Sequence, residues 1–185
     1  MKYNKYIKKR INININDFKE YSEKYSSIEI EIKLVNNKYS EFINIEKEEK
    51  KYYHIYFNNS KEEIKGNYIN KDEEIKIIKI IIDYQVKSFE WLFYYCDCIE
   101  SIYFKKFYRN NITNMNYMFF RCSSLKELNL NNFNTNNVTN MSYMFNRCVL
   151  LKEVNVSNFN INKDTNKGLM LDGCTEELKK IIKKK

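Results

Sequence analysis

With 185 residues, the chain can form one compact domain or two small ones, and its 43% hydrophobic and 16% aromatic residues can build a core. With only three Gly and no Pro as well, this composition argues against disorder of the whole chain. The net charge of +8 weakly favours acidic partners and says nothing about the fold.

Targeting signals are absent from the pattern of the sequence. The first residues, MKYNKYIKKRINININ, are basic but lack the apolar stretch of a secretory signal. The longest apolar run, 75–82, is interrupted by Lys76 and Lys79 and is far too short to span a membrane. We therefore expect a cytoplasmic protein whose cysteines are reduced.

Residues 1–73 are predicted to form a small α+β unit that begins with a strand and a helix. Ile11, Ile13 and Ile15 alternate with Asn, as in a strand. Asp17 then has the character of an N-cap, with Glu20 three positions later. The aromatic residues that share one face of this helix are Phe18, Tyr21 and Tyr25.

Three further strands complete this unit. Residues 28–34 alternate isoleucine or leucine with charged residues, which predicts a half-buried strand. Strands are also predicted at 39–45 and 52–57, on either side of a charged loop at 46–51. The predicted order is β-α-β-β-β.

From residue 74 to residue 174, the sequence repeats every 26 residues. Cys122 and Cys148 are 26 positions apart, and one more step in each direction reaches Cys96 and Cys174. The pairs Met115 and Met141, Tyr117 and Tyr143, and Phe133 and Phe159 have the same separation. A fixed period of this length is typical of stacked-repeat proteins.

One repeat is predicted to contain a short strand and a short helix. Leu125, Leu128 and Leu130 have the L-x-x-L-x-L spacing of a leucine-rich-repeat strand. The preceding segment combines an N-cap residue with apolar residues at i, i+3, i+4 and i+7, which predicts one or two helical turns. These residues are Thr113, Met115, Met118, Phe119 and Cys122.

No single repeat can bury its apolar side alone, so the repeats are expected to stack into a parallel sheet with one exposed face. The run 75–82 is predicted to supply the first strand of this stack. The outward side chains would form three columns that are the candidate binding surface. The columns are Ser101, Glu127 and Glu153; Tyr103, Asn129 and Asn155; and Lys105, Asn131 and Ser157.

The two ends of the stack are predicted to be capped. The N-terminal α+β unit would cover the first repeat, because an open solenoid end exposes apolar side chains. Residues 175–185 are predicted to form a capping helix with Thr175 at its start. Its buried stripe would consist of Leu178, Ile181 and Ile182.

The repeat pattern matches a known family. The string M-x-x-M-F-x-x-C-x-x-L-K-E-L-N-L-x-x-F-N-T-x-N-V-T-N-M occupies Met115–Met141. Over residues 75–174, the chain resembles the BspA-like leucine-rich-repeat surface protein family, a mycoplasma lipoprotein-type repeat. The resemblance implies an α/β leucine-rich-repeat solenoid used for adhesion or protein binding, with no catalytic residues to carry over. It also implies the cell surface as an alternative location.

Enzyme chemistry has little support in the pattern. The cysteines form a straight column rather than the clustered pairs of a zinc site, which favours buried structural thiols; Cys96 and Cys98 leave a redox pair as a minor alternative. His54 has no neighbouring Cys or Ser to activate. We predict a non-enzymatic protein without metal or cofactor.

Two binding functions are consistent with the sequence. The preferred hypothesis is a protein-protein interaction module that uses the exposed columns of the sheet. The alternative is binding of nucleic acid or an anionic surface through segments where basic residues are interleaved with tyrosine. These segments are KYNKYIKKR near the start and KKFYRNN at 105–111.

Overall fold

The computed structural model describes residues 15–36, 38–155 and 160–184. The helices and strands of these residues are α1 (Ile15–Tyr25), β1 (Ile28–Leu34), β2 (Tyr53–Phe57), β3 (Ile77–Ile82), β4 (Ile99–Lys106), β5 (Glu127–Asn129), β6 (Glu153–Asn155) and α2 (Glu176–Lys183), together with a short 3-10 helix at Lys50–Tyr52. The strands form one open sheet in the order β2-β3-β1-β4-β5-β6. The fold is therefore mixed α/β.

Strand β1 holds the two halves of the sheet together. It pairs antiparallel with β3 on one side and with β4 on the other, so that Ile32 lies opposite both Ile78 and Ile102. The alternating isoleucines of β1 are buried, and its charged residues lie on the other face. The sheet thus runs without interruption across the predicted boundary at residues 73 and 74.

The prediction that β3 is the first strand of the parallel stack is wrong, because β1 lies between β3 and β4. A sign of this is already present in the sequence. One period before the buried Ile102 is Lys76, a charged residue that cannot take the same inward position. Instead, β3 pairs with β1, with Ile80 opposite Ile30, and the buried isoleucines of β3 are Ile78, Ile80 and Ile82.

Strands β4, β5 and β6 pair in parallel, with equivalent residues side by side. Ile102 pairs with Leu128, and Leu128 pairs with Val154, so successive partners are 26 residues apart. The inward side chains of the central repeat are at most 2% exposed. They are Met115, Met118, Phe119, Cys122, Leu125, Leu128, Leu130 and Phe133.

The segment before β5 is a run of turns instead of the predicted helix. In residues 115–121, every second backbone N–H donates to a carbonyl oxygen of the following repeat, as from Met115 to Asn140 at 2.8 Å. An α-helix needs those N–H groups for bonds to residue i−4, so the two arrangements exclude each other. Tyr117 and Arg121 have φ of 55°, in the left-handed region that a helix interior does not contain.

This inter-repeat ladder recurs in three successive repeats, with N···O distances of 2.8–3.1 Å. The donors are residues 89, 91, 93 and 95, then 115, 117, 119 and 121, then 141, 143, 145 and 147. The asparagines immediately before residues 115, 141 and 167 are also fixed, because the side-chain oxygens of Asn114, Asn140 and Asn166 accept the N–H two residues further on. We call the backbone hydrogen bonds between successive repeats the ladder.

The repeated cysteines are hydrogen-bond donors within the core. The thiols of Cys122, Cys148 and Cys174 donate to the carbonyl oxygens of Phe93, Phe119 and Phe145 at 3.0, 2.9 and 2.8 Å. Burial raises the pKa of these thiols. Because the reactive species is the thiolate, a raised pKa disfavours nucleophilic or redox chemistry and fits a structural role.

Residues 39–45 do not form the predicted strand. They are irregular, with a single bridge between Glu41 and Tyr68. Phe42 and Ile43 are nevertheless fully buried against the core. The segment lies against the first repeat, where the N–H of Asn44 donates to the carbonyl oxygen of Leu92 at 2.8 Å.

Helix α1 differs from its prediction, and helix α2 agrees with it. Ile15 belongs to α1 instead of to a strand, and Asp17 lies within the helix; Ile11 and Ile13 lie outside the described residues. In α2, the Thr175 hydroxyl is the N-cap and accepts the N–H of Leu178 at 3.2 Å. Neither described helix has the length and apolar character needed to cross a bilayer.

Candidate interaction surface

The parallel register aligns two of the predicted columns on the sheet. Glu127 lies beside Glu153, and Asn129 lies beside both Tyr103 and Asn155. Ser101 is aligned with Glu127 but is only 2% exposed, so it does not belong to the exposed surface. Its short side chain lies between two longer neighbours, since Lys33 of β1 faces it from the other side.

The third predicted column extends beyond the paired part of the strands. Lys105 lies near the end of β4, and Asn131 is an exposed turn residue after β5. The N–H of Asn131 donates to the side-chain oxygen of Asn129 at 2.9 Å, which fixes the end of β5. Ser157 lies outside the described residues.

The exposed face is wider than the sequence predicted, because it continues onto the antiparallel strands. One row of aligned, solvent-accessible residues crosses all six strands of the sheet. The row is Tyr56, Lys79, Glu31, Tyr103, Asn129 and Asn155. We call this surface the sheet face. The alternation in β1 could have indicated Glu31, but not that β1 would stand beside β4.

Tyr103 is the central side chain of the sheet face. Its hydroxyl donates to the Glu127 carboxylate, and the ammonium groups of Lys33 and Lys105 lie 5.8 and 5.2 Å from the centre of its ring. Lys105 also pairs with Glu31 at 3.3 Å. The hydrogen bond to Glu127, together with partial burial, raises the pKa of Tyr103, so this hydroxyl stays protonated at neutral pH. The surroundings of the ring thus carry both signs of charge.

The KKFYRNN segment at 105–111 does not form a basic patch. Lys105 and Lys106 face the carboxylates of Glu31 and Glu29 at 3.3 and 3.9 Å. Arg109 is fully buried and donates to the backbone carbonyl oxygens of Asp83 and Val86, both at 3.0 Å. Burial lowers the pKa of Arg109 to about 10. The KYNKYIKKR segment lies outside the described residues.

A second surface feature, which is not among the predicted site residues, lies along the edge formed by the ladder. The ring centres of Tyr117 and Tyr143 are 4.5 Å apart with the rings nearly parallel, and Tyr94 stacks on Phe120 at 5.2 Å. Trp91, at the start of this row, is 48% exposed. The 26-residue step from Trp91 to Tyr117 and Tyr143 was the available signal.

The remaining candidates for chemistry are dispersed. His54 lies between two carboxylates, with Nδ1 3.3 Å from Glu63 and Nε2 3.4 Å from Asp83. Cys96 and Cys98 are both fully buried as free thiols, and burial raises the pKa of each. Over the described ranges, no three His, Cys, Asp or Glu side chains converge in a way that could hold a metal ion.

Comparison with known proteins places the chain in a family. No curated protein and no solved structure matches it. The model of one family, described as "Mycoplasma protein of unknown function, DUF285", matches residues 82–184. This region comprises β4, β5, β6, the ladder and α2, and it is more than half of the 185 residues. The chain therefore belongs to the DUF285 family of mycoplasma proteins.

Proposed function

We propose that the chain is a non-enzymatic protein-protein interaction module of the leucine-rich-repeat type, which binds a partner protein through the sheet face. The observation that carries this proposal is the position of Tyr103. A partly exposed tyrosine lies within a row of aligned residues that crosses six strands, among charges of both signs. Tyrosine is one of the residue types that dominate the binding energy of protein interfaces.

The leucine-rich-repeat part of the proposal rests on the repeat unit itself. Each 26-residue unit contributes one parallel strand and four backbone donors of the ladder. The L-x-x-L-x-L leucines of the central unit are buried. The sequence string in Met115–Met141 resembles the BspA-like family. In repeat proteins of this kind, the extended face of the stack is the usual binding surface.

The charge distribution favours a protein partner over nucleic acid. Nucleic-acid binding needs cationic groups that can neutralise phosphates. Here, Lys105 and Lys106 face carboxylates, and Arg109 is buried. A mixed-charge surface around an aromatic side chain fits the polar rim and aromatic centre of a protein interface.

The non-enzymatic part of the proposal rests on the solvent-accessible position of the aligned carboxylates Glu127 and Glu153. Catalytic carboxylates need a site that excludes water and shifts their pKa values apart. Glu127 and Glu153 stand on an open sheet, and Glu153 is exposed to solvent. Their proposed role is recognition.

The experiment compares two matched double variants in affinity capture. The wild-type chain and the Tyr103→Ala, Asn129→Ala double variant are immobilised separately. Lysate of the source cells is passed over both. The control variant, Tyr108→Ala with Asn132→Ala, makes the same chemical changes at exposed positions away from the aligned row. Circular dichroism verifies that all three proteins have the same fold.

The expected result is that the wild type and the control variant retain a protein that the sheet-face variant loses. Retention should also survive nuclease treatment, since the partner is proposed to be a protein. Equal retention by the sheet-face variant would exclude the sheet face. Retention that depends on nucleic acid and falls steeply with salt would support the anionic-partner alternative instead.

A further inference from the structure

The last repeat presents a set of backbone donors that the ladder does not use. One period after residues 141, 143, 145 and 147, the equivalent N–H groups belong to Lys167, Leu169, Leu171 and Gly173. Among the residues that the structure describes, none of these four groups has a hydrogen-bond acceptor. The ladder therefore ends in an open row of donors.

These donors are already held in the geometry of the ladder. Leu169 and Gly173 have φ of 52° and 69°, close to the 57° and 59° of Tyr143 and Arg147 one period earlier. The carbonyl oxygens of this run, such as that of Met170, accept bonds from the preceding repeat. A bound segment would consequently meet a preorganised backbone, which reduces the entropy lost on binding.

A trough of about 580 Å³ lies beside the open donors, and its lining combines five apolar side chains with Lys167, Asp172 and Lys183. Phe145 is fully buried, whereas Leu171, its equivalent one period later, is only partly buried. Leu169 is 55% exposed. The apolar side chains of the trough are Ile161, Leu169, Met170, Leu171 and Ile182. The trough thus continues the surface on which each earlier repeat receives the next one.

Helix α2 covers only part of this end. It packs against β6, and its N-cap residue Thr175 donates to the carbonyl oxygen of Leu151 at 2.8 Å. The opposite end of the ladder is different, because Asn44 occupies the carbonyl oxygens of Leu92 and Tyr94. A second copy therefore cannot offer those carbonyl groups to the open donors. Two copies of the donor end would also place N–H groups against N–H groups.

We infer that the open end of the ladder binds a segment of a partner protein that carries the same repeat motif. The segment supplies a backbone carbonyl oxygen at every second residue to Lys167, Leu169, Leu171 and Gly173. Its apolar side chains, equivalent to Met144 and Phe145, enter the trough. The docking surface is continuous with the three repeat-to-repeat interfaces inside the fold, and it is separate from the sheet face.

The probe is a fluorescein-labelled peptide with the sequence of residues 139–147 of this chain, TNMSYMFNR, which receives four ladder bonds in the intact fold. Fluorescence anisotropy of the peptide is measured against the full chain. We expect saturable binding that Leu171→Asp weakens at least about tenfold, because the substitution replaces one of the apolar contact side chains of the trough with a carboxylate. Leu150→Asp makes the same change at an exposed leucine outside the trough and should leave binding unchanged.

A second pair of variants tests the backbone donors. Lys167→Pro removes one donor N–H, and Lys167→Ala is its control, so only the proline variant should bind the peptide more weakly. Amide hydrogen exchange provides a direct measurement, with slower exchange expected at residues 169, 171 and 173 when the peptide is bound. Circular dichroism shows whether each variant is folded.

Several outcomes would overturn the inference. One is the absence of saturable peptide binding. Another is that Leu171→Asp and Lys167→Pro bind the peptide as tightly as the wild type does, with no change in amide hydrogen exchange at residues 169–173. A third outcome is a dimer of the full chain, detected by sedimentation velocity and abolished by Leu171→Asp. In that case, the occupant would be a second copy of the chain.

Discussion

The backbone N–H of Asn44 donates to the carbonyl oxygen of Leu92 at 2.8 Å. In the next repeat, the equivalent carbonyl group, that of Met118, receives its bond from Phe93. The Asn44 side chain also donates to Tyr94 at 2.9 Å, where Phe120 of the next repeat accepts from Tyr95. One residue of the N-terminal region thus supplies two bonds that a preceding repeat would have made.

Asn44→Ala should lower the free energy of unfolding by about 1–2 kcal/mol, because it leaves the partly buried carbonyl group of Tyr94 without this donor. Urea denaturation followed by circular dichroism measures the change. Asn132→Ala is the control, since Asn132 is an exposed turn residue, and we expect it to be nearly neutral. Equal effects of the two substitutions would mean that the Asn44 side chain does not stabilise the first repeat.

Leu128→Ala should destabilise the fold by about 2–5 kcal/mol, because Leu128 is buried between Ile102 and Val154 of the neighbouring strands and its loss leaves a cavity. Asn129→Ala, on the next residue of the same strand, should have a smaller effect, because it leaves the core intact and removes one exposed hydrogen bond, that from the N–H of Asn131. Thermal and urea unfolding of both variants provide the comparison. Similar losses at the two positions would contradict the observed strand register.

Gly173→Ala should cost about 1–2 kcal/mol, because φ of 69° is strained for residues with a Cβ. The added methyl group would also lie 3.1 Å from Cγ of Arg147. Gly66→Ala is the matched control, since no atom lies within 4 Å of its added Cβ and no positive φ is needed there. The melting temperatures of the two variants test this difference. A lower melting temperature for Gly66→Ala than for Gly173→Ala would contradict the strain expected at position 173.

The stability of the fold should decrease at alkaline pH. Burial raises the thiol pKa values in the folded state, to about 11 for Cys174, while unfolded thiols ionise near pH 8.5. Above about pH 8.5, the unfolded state binds fewer protons than the folded state. The contribution of the protonated thiols to the free energy of unfolding is therefore fully present below this pH and is lost as the pH rises. Between about pH 8.5 and 10, each buried thiol should contribute a loss of about 1.4 kcal/mol per pH unit.

Urea denaturation at several pH values measures this slope. Cys148→Ala should reduce the slope by the share of one thiol, because burial raises the pKa of Cys148 well above its ordinary value. A slope that is the same in Cys148→Ala and the wild type would show that this thiol is accessible in the folded state.

The repeat pattern could be predicted from the sequence because it depends on local spacing alone. A 26-residue period identifies which residues are equivalent, and stacking then places equivalent residues side by side. The positions of Cys122, Leu128 and Phe133 in the core follow from this, as does the alignment of Glu127 with Glu153. The N-cap role of Thr175 was likewise accessible, since capping involves only residues within one turn.

The helical interpretation of residues 115–122 failed for a physical reason. Apolar residues at i, i+3, i+4 and i+7 lie on one side of a helix, but they also lie on one side of a turn run with left-handed residues at Tyr117 and Arg121. Whether the segment forms a helix or a run of turns depends on which carbonyl oxygens accept its backbone N–H groups. That is settled by the following repeat, outside the local segment.

By itself, the sequence determined the period, the inward columns and the strand residues that they include. Only the tertiary structure decided that β1 stands between β3 and β4, that Arg109 is buried, and that the sheet face extends to Glu31 and Tyr56. The 26-residue spacing along the sequence identifies which residues are equivalent in neighbouring repeats. The partner of an antiparallel strand is chosen by long-range packing, where several alternating segments compete for the same edge of the sheet.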